Sequence, residues 1–352
     1  MKMRAGVVGA AGFAGIEAVR LLLAHPEFEL VVATSNDLAG KKIAESYPAF
    51  SGVTDLKFTA RDEAPLADCD VVFLAVPHTA AIAQARSLVD AGVAVIDLSA
   101  DFRLKDPTVY EQWYNVKHTA TDLLAQAAFG LPELFRDGLE KLASKRSAGS
   151  GVLVGCAGCY PTATSLAAAP AIRAGLLGAG PVVADAISGV SGAGKKTTER
   201  THYCFADENV EAYGVASHRH TPEIEQILGI EGRLVFTPHL APLDRGLLST
   251  VTIPLGDAQV DQAKLDDLYQ SFYAASPLVS VLTGGAQPKT SSVAGTCRAH
   301  VAAVYNEHAN VVVATGAIDN VGKGAAGQAV QCANIVFGFP ETTGLESVAI
   351  PA

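Results

Sequence analysis

The chain has 352 residues, and its 49% apolar and 18% charged residues allow a large core and exclude bulk disorder. With 36 acidic against 26 basic side chains the formal net charge is −10, so we expect neither nucleic acid nor a membrane surface as a partner. An anionic ligand would need a local basic pocket, and no apolar run approaches the roughly 18 residues of a membrane span.

Apolar runs alternate with helical patterns over the first half of the chain. The opening "RAGVVGAAGFAGIEAVRLLLAHP" predicts a strand, a turn at Gly9 and a helix that ends before Pro26. Further strands are predicted at "FELVVATS", "CDVVFLAVP", "VAVIDLS" and "GVLVG", with a helix over "HTAAIAQARSLVDAG" that closes at Gly92. This alternation is typical of a Rossmann-like, doubly wound parallel sheet in an α/β fold.

Strands follow one another from about residue 181 onward. They are predicted at "PVVADAISG", "RLVFTPHL" and "LLSTVTIPL", with a hairpin at "CRAHVAAVYNE" and "HANVVVATGAI". A helix covers "VDQAKLDDLYQSFYAA", and "KGAAGQAVQCANIVFG" forms a terminal helix in which Cys332 serves packing. We predict a nucleotide-binding domain of residues 1–158 with 320–352, and a catalytic and oligomerisation α+β domain of residues 159–319 with a mixed, largely antiparallel sheet.

The turn "GAAGFAG" places Gly9, Gly12 and Gly15 at three-residue spacing between a strand and a helix. Glycines there allow a tight turn and a close approach to a pyrophosphate, whose charge would meet the amides at the helix N-terminus. The spacing differs from G-x-G-x-x-G, and the alternative is a turn of small residues that serves packing. We expect a dinucleotide site that also includes Phe13 and Ala14.

The end of the second strand indicates which nicotinamide cofactor is used. An Asp or Glu there usually binds the ribose 2′-hydroxyl of NAD, whereas this strand ends in the hydroxyl and amide side chains of Thr34, Ser35 and Asn36. Lys41 and Lys42 follow shortly, although Asp37 lies one residue beyond Asn36. Uncharged donors suit a 2′-phosphate better than a carboxylate does. We therefore expect NADP, with Thr34 and Ser35 in its site.

The stretch "GCAGCYPT" holds two thiols, Cys156 and Cys159. A zinc clamp would need a second ligand pair, and a thioredoxin-like dithiol would follow the first strand of its domain, so neither suits this position. Two inert buried thiols are a further alternative. Pro161 fits the first turn of a helix, which places Cys159 at a helix N-terminus where a thiolate is stabilised. Cys159 is therefore our candidate nucleophile, and Cys156 ends the preceding strand.

Six cysteines in 352 residues are sparse and scattered, as in proteins of a reducing compartment. The basic and apolar opening of the chain resembles a signal peptide, but Glu17 and Arg20 follow at once in a helical pattern. We expect a cytoplasmic protein.

Eight motifs occur in an order that resembles the N-acetyl-γ-glutamyl-phosphate reductase family of arginine biosynthesis. They are "GAAGFAG", "DLSADFRL", "FGLPEL", "GCAGCYPT", "SGVSGAGKK", "HRHTPEI", "FTPHLAPLDRG" and "DNVGKGAAGQAVQ", and they cover nearly the whole chain. That family is similar to the aspartate-semialdehyde dehydrogenases in fold and chemistry. The resemblance implies that Cys159 attacks an acyl phosphate, that phosphate leaves, and that NADPH reduces the resulting thioester to an aldehyde.

A proton shuttle for this scheme needs a pKa near neutrality, which favours histidine. In "SHRHTPEIEQILG" two histidines precede a helix, for which Thr221 is the expected cap and Pro222 lies in the first turn. The resemblance favours His220 as the acid/base, with Glu223 to orient it. His218 is the rival, and a pair of polar loop histidines is the structural alternative.

The resemblance also implies further contacts with cofactor and substrate. Arg103 follows the "VAVIDLS" strand at the edge where such sheets bind ligands, and its fork suits a phosphate or carboxylate, the alternative being a surface salt bridge. A second Gly-rich loop, "SGVSGAGKK", suits the nicotinamide or pyrophosphate, and Asn320 the nicotinamide end, unless it caps a helix. The expected cofactor residues are thus Ser99, Gly192, Gly194 and Asn320, and the substrate residues are Arg103, Lys195 and Arg245.

We expect an NADP-dependent reductase of the small-molecule acyl phosphate N-acetyl-γ-glutamyl phosphate, with no metal. The alternatives are a reductase for the homologous aminoadipate derivative, one methylene longer, and a non-catalytic NADP-binding sensor. The resemblance implies a homodimer or homotetramer.

Overall fold

The computed structural model describes residues 2–257 and 260–351. Within them the chain divides into two compact units, one of residues 2–157 with 325–346 and one of residues 158–324 with 347–351. The assignment of separate functions to domains 1–158 with 320–352 and 159–319 stays a prediction, and residues 1, 258–259 and 352 of those ranges lie outside the described residues. Every helix in the described ranges is too short or too polar to cross a membrane.

Strands and helices alternate along most of the chain. The strands are β1 (Met3–Val8), β2 (Phe28–Thr34), β3 (Phe58–Thr59), β4 (Val71–Leu74), β5 (Ala94–Asp97), β6 (Ala128–Gly130), β7 (Val152–Cys156), β8 (Val182–Gly189), β9 (Glu211–Ala212), β10 (Leu234–Ala241), β11 (Leu247–Pro254), β12 (Val279–Val281), β13 (Ala299–Asn306) and β14 (Val311–Ile318). The helices are α1 (Phe13–Ala24), α2 (Ile43–Ser46), α3 (Ile82–Asp90), α4 (Pro107–Tyr114), α5 (Thr121–Leu124), α6 (Pro132–Ser147), α7 (Cys159–Arg173), α8 (Tyr203–Ala206), α9 (Thr221–Leu228), α10 (Gln262–Phe272) and α11 (Gly327–Val336).

The first unit is built on a parallel sheet of order β3-β2-β1-β4-β5-β7-β6. Every strand pair in it is parallel, and every residue of β4, β5 and β7 is buried, as expected of a sheet covered on both faces. The strand order reverses between β1 and β4. In doubly wound sheets the ligand crevice opens at such a reversal, at the carboxyl ends of the strands. The predicted Rossmann-like α/β fold is confirmed.

Two predicted helices of this unit begin later than the sequence suggests. The helix predicted from His78 begins at Ile82, because Thr79 has a left-handed φ of 74° and the Asp101 carboxylate accepts hydrogen bonds from the amides of Thr79 (2.6 Å) and Ala81 (2.9 Å). The terminal helix predicted from Lys323 becomes α-helical only at Gly327, because residues 322–326 form a wider π-helical turn.

The second unit is built on a mixed sheet of order β12-β13-β14-β11-β8-β10-β9. The pairs β8–β10 and β12–β13 are parallel and the other pairs among the described strands are antiparallel, including the predicted hairpin of β13 and β14. The predicted α+β domain with a mixed, largely antiparallel sheet is therefore confirmed.

Helix α7 packs on β11 and β14 and is buried from Tyr160 to Ala171. Gly316 of β14 allows this contact, since a Cβ there would lie 2.6 Å from the Ala163 carbonyl oxygen. Pro170 cannot donate to the carbonyl of Leu166, and the Tyr273 hydroxyl donates to that oxygen at 2.5 Å. The helix that begins at the candidate nucleophile is thus packed against the sheet over most of its length.

Candidate active site

Cys159 is the first residue of α7, at the helix N-terminus that the sequence predicts for it. The cap residue Gly158 is extended, and the first helical hydrogen bond runs from the Thr162 amide to its carbonyl at 2.9 Å. The side chain of Cys159 is half-buried, whereas Cys156 at the end of β7 is 1% exposed. Of these two thiols, Cys159 combines access with the positive end of a helix dipole.

The N-terminus of α7 is bound by a carboxylate from α9. The Gly158 amide donates to Glu223 Oε1 at 2.8 Å, and Glu223 itself is buried. One of the amide groups that a helix start leaves without an intrahelical partner is satisfied in this way. The bond also fixes the start of α9 against the start of α7. The predicted role of Glu223 in orienting His220 stays a prediction.

The two histidines of "SHRH" belong to one tight turn before α9. The His220 amide donates to His218 Nδ1 at 3.2 Å, and the Thr221 amide donates to the His218 carbonyl at 2.9 Å. The expected cap at Thr221 is wrong, because α9 begins at Thr221 and His220 is the cap, its carbonyl accepting from the Ile224 amide at 3.0 Å. The ring centroids of His218 and His220 lie 4.9 Å apart.

These histidines pack against the residue that follows Cys159. The ring of Tyr160 lies 5.5 Å from that of His218 and 6.0 Å from that of His220. Tyr213 and Phe236 each lie 5.5 Å from His218. We call Tyr160, Tyr213, His218, His220 and Phe236 the histidine–tyrosine cluster. It brings both candidate acid/base residues to the start of α7.

Burial within the cluster favours the neutral forms of His218, Tyr160 and Tyr213. Burial lowers the pKa of His218 to about 4, with a smaller contribution from the Arg219 charge, so its ring is neutral at pH 7. Since Nδ1 accepts the His220 amide, the proton of neutral His218 resides on Nε2. Burial also raises the pKa of Tyr213 to about 12 and raises that of Tyr160 further. The Tyr213 hydroxyl donates to that of Tyr160, which donates to the His239 carbonyl, each at 3.1 Å.

Gly324 lies directly against Cys159. A Cβ at Gly324 would lie 2.8 Å from Cys159 Cβ, so only glycine fits. Asp319 shapes the turn that carries it, since Oδ1 accepts from the amides of Val321 (2.9 Å) and Gly322 (2.7 Å). The Gly324 amide donates to the Asp319 carbonyl at 2.9 Å. Backbone is thereby brought into contact with Cys159.

Asp319 also holds Arg245. Arg245 Nη2 donates to Asp319 Oδ1 at 2.9 Å, and Nε lies 2.8 Å from Oδ2. Asp319 is fully buried and the Arg245 side chain is 26% exposed. Asp319 thereby orients the guanidinium of Arg245 through two of its nitrogens.

Asn320 cross-links two predicted binding loops. Its Oδ1 accepts from the Gly246 amide at 2.7 Å, and its Nδ2 donates to Ser191 Oγ at 3.0 Å. Gly192 lies next to it, where a Cβ would lie 2.8 Å from Ser188 Oγ. Gly194 and Lys195 continue the same loop and are exposed. The structure thus brings Arg245, Asn320 and Gly192 together, while their contacts with cofactor and substrate stay predictions.

In the first unit the Gly-rich turn lies at the strand reversal. Gly9 has a φ of 75°, and a Cβ there would lie 2.4 Å from the carbonyl oxygen of Ala75, just after β4. Gly15 is packed as tightly as Gly9, because a Cβ at Gly15 would lie 2.2 Å from the Gly9 carbonyl oxygen. Gly12 caps α1 and differs, because the nearest atom to its Cβ position is Gly9 O at 3.5 Å. Two glycines therefore build the turn, and the third leaves open the space at the start of α1 that a pyrophosphate would fill.

The end of β2 is linked directly to this turn. Thr34 is buried, and its Oγ1 accepts from the Gly9 amide at 3.2 Å. Ser35 is half-buried and Asn36 is exposed. The Asn36 side-chain oxygen accepts from the amide of Arg61 at 2.9 Å. Sequence reasoning missed Arg61, because it follows a two-residue strand that has no apolar pattern of its own.

Two predicted site residues in the turn after β5, Ser99 and Arg103, make hydrogen bonds within the first unit. Ser99 Oγ donates to Asp97 Oδ2 at 2.8 Å, and burial, followed by the neighbouring charge of Asp101, raises the pKa of Asp97 to about 7. Arg103 is 5% exposed and Nη2 donates to the Leu98 carbonyl at 2.7 Å. Arg103 thus lies in the interior and not at the surface, and its substrate role stays a prediction.

Two family profiles match this chain. One described as "Semialdehyde dehydrogenase, NAD binding domain" matches residues 4–142, and one described as "Semialdehyde dehydrogenase, dimerisation domain" matches residues 159–320. A protein of Symbiobacterium thermophilum named N-acetyl-gamma-glutamyl-phosphate reductase is 45% identical, over 98% of each chain. Proteins of the same name from Herminiimonas arsenicoxydans and Neisseria meningitidis are 42% and 44% identical over 99% of each chain. The chain belongs to the N-acetyl-γ-glutamyl-phosphate reductase family.

Solved structures extend the likeness in fold beyond this family. An aspartate semialdehyde dehydrogenase II of Vibrio cholerae, complexed with ASA, has a TM-score of 0.72 at 16% identity, covering 96% of this chain and 98% of its own. An aspartate semialdehyde dehydrogenase with NADP from Candida albicans has a TM-score of 0.70 at 17% identity, with the same coverage. Membership of the reductase family and the matched NAD binding profile support a reductase that uses a nicotinamide cofactor.

Proposed function

We propose that the chain is an NADP-dependent reductase that converts N-acetyl-γ-glutamyl phosphate to N-acetylglutamate 5-semialdehyde and phosphate through a thioester on Cys159. The observation that carries this proposal is the setting of Cys159, half-buried at the first position of α7 with the histidine–tyrosine cluster packed on the next residue. Full-length relatives named for this activity supply the substrate.

Cys159 acts as the nucleophile. Its thiolate, stabilised by the end of α7, forms a bond to the acyl carbon, the carbon–oxygen bond to phosphate breaks, and phosphate leaves with the bonding pair. When bound, NADPH supplies the hydride that reduces the thioester to the aldehyde level. The thiohemiacetal on Cys159 then collapses, which releases the semialdehyde and restores the thiolate.

His220 carries the proton in this sequence. Burial lowers the pKa of His218 to about 4 and leaves that ring neutral, so we assign the proton transfer to His220. His218 instead positions His220, because its Nδ1 accepts the His220 amide. Glu223 positions the start of α7 through Gly158.

Arg245 binds the anionic end of the substrate. Asp319 holds one edge of the guanidinium, so the group is oriented before the substrate arrives. Arg103 and Lys195 are the other candidates for the phosphate and carboxylate groups. Because the Arg245 side chain is already ordered, substrate binding does not incur the entropic cost of ordering it.

The residues that would hold NADP fit a dinucleotide. The open space at Gly12, the cap position of α1, is where helix amides would meet the pyrophosphate, flanked by Phe13 and Ala14. Ser35 lies at the ribose end. Ser99, Gly192, Gly194 and Asn320 are further residues that we expect to contact the cofactor. The Thr34 hydroxyl accepts from the Gly9 amide and so supports the Gly-rich turn.

We also propose a cytoplasmic homodimer or homotetramer formed through the second unit, whose matching profile is described as a dimerisation domain. One face of its sheet packs on α7, and the other presents Ile187 and Val235, both exposed, with Leu248 beside Ile187 in register. Val235→Asp should convert the oligomer to monomers in light scattering. A monomeric native protein would overturn this proposal.

The activity is tested in reverse, with the semialdehyde, phosphate and NADP as reactants and NADPH absorbance as the readout. Cys159→Ser should abolish turnover and Cys156→Ser should retain most of it. Protein quenched with the acyl phosphate without reductant should carry the acyl group on Cys159 in mass spectrometry. Faster turnover of the aminoadipate homologue would reassign the substrate, and cofactor binding without turnover of either substrate would favour a sensor.

A further inference from the structure

The loop that follows β3 lies at the same edge of the sheet as the end of β2. In parallel sheets the carboxyl ends of neighbouring strands meet at one edge, and the 2′ position of a bound dinucleotide lies at the end of the second strand. Thr34 of β2 pairs with Thr59 of β3, and the Ser35 amide donates to the Thr59 carbonyl at 3.1 Å. The residues that follow Thr59 are therefore at the same edge as Ser35.

Arg61 begins a short 3₁₀ helix two residues after β3. Its amide donates to the Asn36 side-chain oxygen at 2.9 Å, which binds the loop after β3 to the loop after β2. The amide group of Asn36 then presents its NH₂ as a donor at the same place. An arginine and an amide donor thus lie together at the ribose end of the cofactor site.

The lysines considered from the sequence lie elsewhere. Lys42 pairs with Lys57, which precedes β3, and its ammonium lies 2.7 Å from Asp55 Oδ1. The backbone of Lys41 accepts from the Phe58 amide at 2.9 Å. The ammonium of Lys42 is therefore held by Asp55, beside the residues that precede β3.

Arg61 is available to a phosphate. Its one side-chain bond, among the described residues, is from Nε to Asp62 Oδ1 at 3.2 Å, and the Asp62 side chain is 86% exposed. Exposed ion pairs of this kind are weak and exchange readily. The nearby carboxylates of Asp37, Asp62 and Glu63 are all exposed, so water screens their repulsion of a dianion.

Resting on the proposed use of NADP, we infer that Arg61 binds the 2′-phosphate and sets the preference for NADP over NAD. Guanidinium forks match phosphate oxygens closely, and Arg61 places a positive charge beside the uncharged side chain of Asn36. The contact with Asn36 is made by the Arg61 amide, and the side-chain bond of Arg61 is the exposed one to Asp62, so the side chain can be changed without loss of the contact between the two loops.

The test is calorimetric titration of the full chain with NADP⁺, NAD⁺ and 2′,5′-ADP, which needs no turnover. Arg61→Ala should weaken NADP⁺ and 2′,5′-ADP about 10- to 100-fold and leave NAD⁺ within about twofold, the loss expected of charge-assisted hydrogen bonds. Arg61→Lys should recover part of the loss. Arg86→Ala is the matched control, since Arg86 is a half-buried arginine of the first unit that is likewise paired with an exposed aspartate, Asp122.

The titrations distinguish a failure of the Arg61 assignment from a failure of the proposed use of NADP. Wild-type protein that prefers NADP⁺, with Arg61→Ala unchanged, would overturn the assignment of Arg61 and leave the use of NADP standing. Wild-type protein that binds NAD⁺ as tightly as NADP⁺ would overturn the use of NADP and with it the role of Arg61. Equal weakening of NADP⁺ and NAD⁺ in Arg61→Ala would also contradict a specific contact with the 2′-phosphate.

Discussion

The carboxylate of Glu223 accepts a hydrogen bond from the amide of Gly158 at 2.8 Å, one residue before the candidate nucleophile. The two residues are 65 positions apart in the chain. A side chain at the start of one helix thereby fixes the start of another, and the thiol is carried by the helix that is fixed. The contact connects the acid/base turn to Cys159 through a buried, directional bond.

Glu223→Ala should lower the free energy of unfolding by about 1.5–3 kcal/mol, because a buried amide loses a charged acceptor. Glu223→Gln retains an oxygen at the same place and should recover most of that stability. Urea unfolding of the three proteins measures the difference. Equal stability of the alanine and wild-type proteins would show that water replaces the carboxylate at Gly158.

Gly324→Ala should reduce the proposed reductase activity by about 100-fold, since its Cβ would lie 2.8 Å from Cys159 Cβ and displace the thiol. Gly138→Ala is a matched control within α6, where the nearest atom to the added Cβ is an ordinary contact at 3.6 Å. Steady-state kinetics and the rate of thiol alkylation report the displacement. Unchanged values for Gly324→Ala would mean that the turn moves without cost.

The stability of the wild-type protein should decline as the pH falls from about 6.5 to 4. Burial lowers the pKa of folded His218 to about 4 from the 6.5 of the unfolded chain, so the unfolded state binds more protons in this interval and is favoured by acid. His218→Gln should remove up to about 3 kcal/mol of this pH dependence. Chemical denaturation at pH 4.5 and 7 gives the slopes, and parallel slopes for the two proteins would contradict a buried, neutral His218.

Thr79→Gly should raise the free energy of unfolding by about 1 kcal/mol, because threonine is strained at the left-handed φ of 74° observed there. The hydrogen bond from the amide of residue 79 to Asp101 is retained in the variant. Thr119→Gly, at an exposed position of the same unit without positive φ, should instead be neutral or destabilising. A loss of stability at residue 79 would show that its side chain contributes more than the strain costs.

Local patterns of the sequence determined much of this molecule. Alternating apolar runs and helices specified the parallel sheet, glycines at 9, 12 and 15 specified the turn after β1, and Pro161 after Cys159 specified a helix that begins at the thiol. Each of these features depends on residues a few positions apart, whose backbone preferences and burial pattern act within one element.

Tertiary structure alone decided which distant groups meet. Glu223 reaches Gly158, Asp319 reaches Arg245 across 74 positions, and Arg61 reaches Asn36 only because β3 pairs with β2. Tyr213 likewise joins Tyr160 through the packing of β9, β10 and the turn before α9. Such contacts follow from strand order and helix packing, which bring side chains together irrespective of their spacing along the chain, and so no local pattern contains them.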